Sequence, residues 1–216
     1  MHRRTAPLPR SVRRSVRYGV AVAAGVASWG TLEYVLHRFV MHVPRGKGRP
    51  SRAHLEHHAD PSTFASTAEK AATATAVVVP TFPLARRLVG APTAAVYVTS
   101  FVGTYLGYEV LHRWIHVRAA RTAYGRWARR HHLRHHFGRP MQNQGVTSPV
   151  WDVVFGTLDA TDGPVRVPRR MAPVWLVDDD GAVRAEYADD YVLAGRVRDA
   201  ADDDRRAAFR NVAPAD

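Results

Sequence analysis

Three apolar stretches, separated by polar segments crowded with histidine, set the pattern of the chain. Residues 18–36, YGVAVAAGVASWGTLEYVL, are apolar except for Glu33, and a helix of that length reaches across a bilayer at about 1.5 Å per residue. The second stretch, Ala71–Ala85, falls short of the roughly 20 residues a crossing needs and is interrupted by Pro80 and Pro83. It predicts a segment that enters a membrane without crossing cleanly. Residues 88–111 are the strongest crossing candidate in this pattern. Only Arg86 and Arg87 separate them from the segment before, so 71–111 reads as a helical hairpin.

Between these stretches the pattern is polar. Residues 41–66 predict a loop followed by a short helix around 51–58, and 113–139 predict a basic, aromatic helix lying at a membrane surface. Beyond Thr157 the apolar periodicity fades and acidic runs appear at Asp178–Asp180 and Asp202–Asp204, which predicts little local structure. The resulting division is a basic leader at 1–17, with six arginines and no cleavage site, a membrane domain at 18–160, and a peripheral acidic and mixed tail at 161–216.

Composition narrows the chemistry. With 216 residues the chain has room for one domain or a membrane bundle with a modest extension, and it contains no cysteine. Disulfides, zinc ribbons, iron–sulfur clusters and thiol nucleophiles are therefore excluded, and a bound metal must be held by nitrogen and oxygen. The net charge of +12 is uneven, with 22 basic against 7 acidic residues in 1–160 and 9 against 12 in 161–216. An arginine excess around apolar segments suits anionic lipid headgroups. Nucleic acid is not expected as a partner, because the arginines alternate with histidines and apolar spans and no helix-turn-helix, zinc-finger or RNA-binding signature is present.

The histidines carry the functional signal. Of 12, all but His2 fall into four groups: His37 and His42; His54, His57 and His58; His112 and His116; and His131, His132, His135 and His136. Helical positions i, i+3 and i+4 share a face, so His54, His57 and His58 are expected to point at one centre, and His132, His135 and His136 at another. His37 and His42 lie five apart, roughly 140° around an ideal helix, so the helix is expected to end or distort between them. About ten imidazoles exceed the needs of one ion, which makes two ions the economical reading. Burying such rings without partners costs a few kcal/mol each.

In order and spacing these groups resemble the fatty acid hydroxylase and sterol desaturase superfamily. The resemblance covers about residues 30–158: Glu33-Tyr-Val-Leu-His37-Arg-Phe-Val-Met-His42, His54-Leu-Glu-His57-His58, Tyr108-Glu-Val-Leu-His112-Arg-Trp-Ile-His116, His131-His132-Leu-Arg-His135-His136-Phe137 and the closing GVTSPVWDVVFGT. It implies an all-α fold, a membrane helical bundle beneath a cytosolic histidine-rich cap that holds a dinuclear centre. It also implies two irons, with zinc able to take their place in a purified protein, dioxygen as co-substrate, a lipid substrate and a separate electron-donor protein. The implied ligands are His37, His42, His54, His57, His58, His112, His116, His132, His135 and His136, with His131 as a doubtful eleventh. Glu33, one turn before His37, is expected to orient that ring, complete the coordination or pair with Arg38. Asp152, Asn143 and Tyr108 are weaker supporting candidates, and Trp151 and Phe155 are expected to pack the cap.

Other readings compete with a lipid C–H hydroxylase or desaturase of this kind. A carotenoid hydroxylase uses the same ligand chemistry, and a membrane protein that binds transition metal without redox turnover is a different class. A zinc hydrolase has less support, since no HExxH helix is present. The implied topology, an integral membrane protein with its metal centre on the cytoplasmic side, conflicts with one charge rule. A full crossing at 18–36 puts the arginine leader on the opposite face, against the tendency of basic loops to stay inside.

Overall fold

A computed structural model describes residues 9–195, and these are mostly helical. The leader through residue 8, and the end of the tail at 196–216 with Asp202–Asp204, lie outside the described residues. The elements run α1 (Arg10–Val35), a π-helical turn (Leu36–His42), α2 (Arg49–Ala59), α3 (Thr67–Val89), α4 (Ala91–Val117), α5 (Ala123–Phe137) and α6 (Val150–Val154). Two four-residue strands follow, β1 (Val165–Pro168) and β2 (Tyr191–Ala194), paired in parallel with Val165 opposite Tyr191.

Hydropathy and structure differ in three places. Among the described residues, the helix long and apolar enough to cross a membrane is the continuous Arg10–His42. Residues 88–111 lie in and just before α4, where threonine, serine, tyrosine and glycine dilute the apolar character. The 71–85 stretch is not broken: α3 continues through Pro80 and Pro83, and the Thr81 hydroxyl donates to Val77 O at 2.6 Å. The carbonyls that lose their helical donors to Pro80 and Pro83 are those of Ala76 and Val79, so the helix continues at the cost of two backbone bonds. The 113–139 segment is two pieces rather than one helix. α4 ends at Val117, and α5 restarts after Thr122, whose hydroxyl accepts from Gly125 N at 3.0 Å. The short helix expected at 51–58 is α2.

The described residues divide into two compact units, one of residues 9–29 and 66–107, the other of 30–65 and 108–195. In the first, α1 and α4 approach closely at Gly25, where an added Cβ would lie 2.5 Å from Tyr97 O. Only glycine permits that approach. Trp29 packs edge-on against Phe101 at 5.7 Å between ring centroids, and Tyr97 Oη donates to Ser28 Oγ at 3.1 Å. α3 opens with a reciprocal cap between Ser66 and Glu69.

The second unit contains every clustered histidine. Its apolar core joins Ile115, Ala128, Leu133 and Val146 to Val165, Val167, Leu176, Trp175, Tyr187 and Tyr191. Residues 165–191, which sequence alone places in a peripheral tail, thus supply much of the core against which α5 and the end of α4 are packed. The fading periodicity concealed this because two short strands and two single turns contribute scattered anchors rather than a stripe. Trp175 Nε1 donates to Ile115 O at 3.1 Å. Buried Arg129 of α5 donates to Trp114 O, Arg118 O and Ala119 O at the C-terminal end of α4. A cation at that end satisfies carbonyls that have no partner within the helix and complements its dipole.

Replacing Trp175 with alanine is therefore expected to destabilise this unit by about 3–5 kcal/mol, as aromatic truncations in a core do. Chemical unfolding of the detergent-solubilised chain checks it, and an unchanged midpoint returns 165–191 to a peripheral role.

Candidate metal centre

Each histidine group reaches the centre by a local structural device. The π-helical turn is the first. Val43 N donates to Arg38 O at 2.9 Å, a bond five residues long, and this wider winding brings positions five apart onto nearly one side. His37 and His42 consequently lie with ring centroids 5.1 Å apart. The expected distortion is present, as a widened turn rather than an end.

The three-histidine clusters divide differently from the expectation of one centre each. Two sets of five ring nitrogens form, each set within 4.8 Å of one another: His37, His42, His54, His58 and His135, and His57, His112, His116, His132 and His136. The i, i+4 pairs His54/His58 and His132/His136 stay together, while the i+3 residues His57 and His135 go to the opposite set. On a helix, i+3 and i+4 differ by about 100° in direction, so a helix passing between two centres serves both. His58 and His136, one from each set, stack with centroids 4.0 Å apart and planes 5° apart.

Within the first set, Nε2 atoms face one another at 3.1 Å (His37–His54), 2.8 Å (His42–His54), 3.0 Å (His42–His135), 3.1 Å (His54–His58) and 3.0 Å (His58–His135). Within the second, His57 Nε2 lies 3.1 Å from His112 and 3.2 Å from His116, and His116 lies 3.1 Å from His132. Neighbouring ligands at metal–nitrogen bonds of about 2.0–2.1 Å are separated by roughly 2.9–3.4 Å, so these spacings are those of the edge of a coordination polyhedron.

Proton placement supports the same fit. His37 Nδ1 donates to Gln144 O at 2.5 Å, His135 Nδ1 to Gln142 O at 2.8 Å and His57 Nδ1 to Thr63 O at 2.6 Å. A carbonyl only accepts, so in these neutral rings the proton is on Nδ1 and the Nε2 lone pair faces the centre. Burial, then neighbouring imidazoles, push the pKa of His54, His132, His135 and His136 well below the usual histidine value, and His58 down with them. Those five rings are thus held neutral, the ligating form, and Nδ1 protonation at His37, His57 and His135 leaves Nε2 free to accept a cation. Both ring nitrogens of buried His136 have no hydrogen-bond partner among the described residues. An all-imidazole donor set suits iron, zinc, copper or nickel rather than magnesium or calcium.

The remaining candidates surround the two sets. His131 lies outside both: it stacks on Trp127, with Nε2 3.5 Å from Asp152 Oδ2. Asp152, fully buried, accepts from Gln144 N at 2.8 Å, Gly145 N at 2.8 Å and Thr157 Oγ1 at 2.7 Å. Burial raises its carboxyl pKa, but His131 first, and then the bonds from Thr157, Gly145 and Gln144, bring it below the usual value. Glu33 is also outside the nitrogen sets; its two oxygens accept from Thr147 N at 2.9 Å and Thr147 Oγ1 at 2.6 Å. Asn143 has φ of 53° and accepts from Asp159 N at 2.7 Å, while Tyr108 stacks on His112. Phe155, expected inside the cap, is exposed on one side and stacks on Tyr34. The contributions that sequence reasoning missed are the Gln142, Gln144 and Thr63 carbonyls, which no side-chain pattern can advertise.

The sequence profile of the fatty acid hydroxylase family matches residues 22–157. That span includes both nitrogen sets and the loop behind them. The chain belongs to the fatty acid hydroxylase family. Among curated relatives of this family it is 31% identical over 144 residues to dihydroceramide fatty acyl 2-hydroxylase FAH2 of Arabidopsis thaliana, covering 65% of this chain and 61% of that protein. It is 28% identical over 148 residues to fatty acid 2-hydroxylase of Homo sapiens, covering 62% of this chain and 38% of that protein. The match thus spans about three-fifths of the Arabidopsis protein and much less of the human one. The solved structure of full-length scs7p, in which only the hydroxylase domain is visible, superposes with a TM-score of 0.54 at 25% identity, over 69% of this chain and 64% of that one.

Replacing His57 or His135 with alanine removes one nitrogen from one set each and is expected to lower bound metal by at least about one ion per chain, with membrane association intact. Elemental analysis after chelator washing measures this. Full metal content in either variant removes that residue from the ligand set.

Proposed function

We propose that this fatty acid hydroxylase family member is an integral membrane, dioxygen-dependent hydroxylase that acts on a fatty acyl C–H bond, with iron held by both nitrogen sets. The observation that carries the reading is the convergence of ten imidazole nitrogens into two groups of five. Bound iron at these positions would supply reductive activation of dioxygen. The choice of iron over zinc rests on that redox requirement, since the donor set accepts both. The stoichiometry is one C–H bond, one dioxygen, two electrons and two protons giving one alcohol and one water. The electrons come from a separate donor protein, and the centre faces the cytoplasm.

The chain's own part is to hold neutral nitrogens in fixed directions and to keep bulk water away, which the burial of His37, His116, His132 and His135 favours. The relatives named for fatty acyl and fatty acid 2-hydroxylation rank an acyl chain ahead of a sterol or carotenoid ring. Membrane placement is supported by the length and apolarity of Arg10–His42 and by exposed Val150, Val153, Val154 and Phe155 on and beside α6. A run of bare apolar side chains of this kind marks a lipid or partner surface.

Two measurements test the reading. With ferrous iron, a reductant and fatty acyl lipids in detergent, oxygen uptake is expected to match a product heavier by one oxygen atom. Stoichiometric metal without oxygen uptake favours a non-redox metal-binding protein instead. The absence of cysteine makes single-site labelling clean: a fluorophore on Val154→Cys in proteoliposomes is expected to be quenched by brominated lipid. Quenching no greater than that of a label on Asp179→Cys counts against α6 facing the bilayer.

A further inference from the structure

The two nitrogen sets are supported unequally. In the first, His37 and His135 both donate Nδ1 to one loop, through Gln144 O and Gln142 O. In the second, His57 donates to Thr63 O, while the Nδ1 atoms of His116, His132 and His136 have no hydrogen-bond partner among the described residues. The loop behind the first set is tied down by two buried carboxylates that approach from different elements. Glu33, from α1, clamps Thr147 through both its N–H and its hydroxyl. Asp152, from α6, accepts the N–H groups of Gln144 and Gly145. The turn between them is tight: a Cβ at Gly145 would lie 2.1 Å from Ser148 O. Between the two carbonyls, Asn143 takes a left-handed conformation, held by Asn143 N donating to Thr157 O at 2.9 Å.

Neither carboxylate belongs to a nitrogen set, yet each is one short step from a ring. Glu33 holds Thr147, three residues from the carbonyl that receives His37. Asp152 holds the N–H of the residue whose carbonyl does so. An outer group that fixes a ligating imidazole's tautomer and direction typically contributes about 10–100-fold in metal affinity. We propose that Glu33 and Asp152 are positioning residues which, through the 142–147 loop, orient His37 and His135, so that the metal position built by His37, His42, His54, His58 and His135 depends on them and the other does not. This inference rests on the metal-binding reading above, and it makes the two positions separable.

The test uses the full chain in detergent, loaded anaerobically with ferrous iron and then challenged with a chromogenic ferrous chelator. The parent protein is expected to release iron in two kinetic phases of similar amplitude. Glu33→Ala is expected to accelerate one phase by about 10–100-fold and leave the other unchanged. Glu33→Gln, which keeps an acceptor for Thr147 N, is expected to restore most of the slower release. That graded rescue, confined to one phase, separates positioning from general loss of stability. Thr147→Val removes only the hydroxyl donor and carries the test if Glu33→Ala does not fold; it is expected to accelerate the same phase more modestly. Acceleration of both phases together, or of neither, overturns the inference while leaving the metal reading in place. A parent protein that retains no iron removes the metal reading and this inference with it.

Discussion

The structure depends on the convergence of imidazole rings turned toward one another in a space that excludes water. Facing Nε2 atoms approach to 2.8–3.2 Å, and protons committed to Nδ1 at His37, His57 and His135 leave the Nε2 lone pairs of those three rings turned inward. Burial opposes protonation of the rings, because a charged imidazole there loses hydration and meets its neighbours. A cation in each set would bond the same converging nitrogens. Folding energy has to hold these rings in their convergent geometry, and the surrounding architecture can be read as that support.

Helical geometry then explains how four sequence groups become two sets. Two histidines four apart share a face, and a third at i+3 lies roughly 100° from the i+4 residue. α2 and α5 both carry this arrangement, and each sends two rings to one centre and one to the other. The reciprocal distribution, with His57 crossing one way and His135 the other, brings His58 and His136 into a face-to-face stack at 4.0 Å. The π-helical turn solves a different problem, because an ordinary helix directs His37 and His42 apart. One residue of extra winding aligns them at the end of a long apolar helix, a local irregularity of the sort that accumulates at functional sites.

Much of the centre was legible in sequence because imidazole spacing is a side-chain property and helices translate spacing into direction. The distortion at 37–42 followed from counting residues alone. The assignment of rings to centres did not, since i, i+3 and i+4 are equally compatible with one centre on the helix face or two flanking it. The carbonyls of Gln142, Gln144 and Thr63 were invisible for a simpler reason: every residue has a carbonyl. Glu33 was noticed for its place one helical turn before His37, but its partner, Thr147, is more than a hundred residues away in sequence. The contribution of 165–191 was hidden by the shortness of its elements. A four-residue strand leaves too few positions for a period to show, whereas Val165, Val167 and Tyr191 are unmistakable once packed.

That core sets the direction of the rings as firmly as the loop does. α5 presents His132, His135 and His136 to the nitrogen sets, while Ala128 and Leu133 of the same helix are buried in the apolar core with Val165, Val167 and Trp175. Arg129 adds a second restraint through its bonds to Trp114 O and Arg118 O at the end of α4, the helix that carries His112 and His116. A small rotation of either helix would change ring directions by a comparable angle and move the distal nitrogens by a sizeable fraction of a metal–ligand bond. Trp175, bonded to Ile115 O of α4 and packed in the core with Ala128 and Leu133 of α5, opposes that rotation. Segments without a single clustered histidine therefore determine where the histidines point, and the centre extends, in mechanical terms, well beyond the residues that can touch a metal.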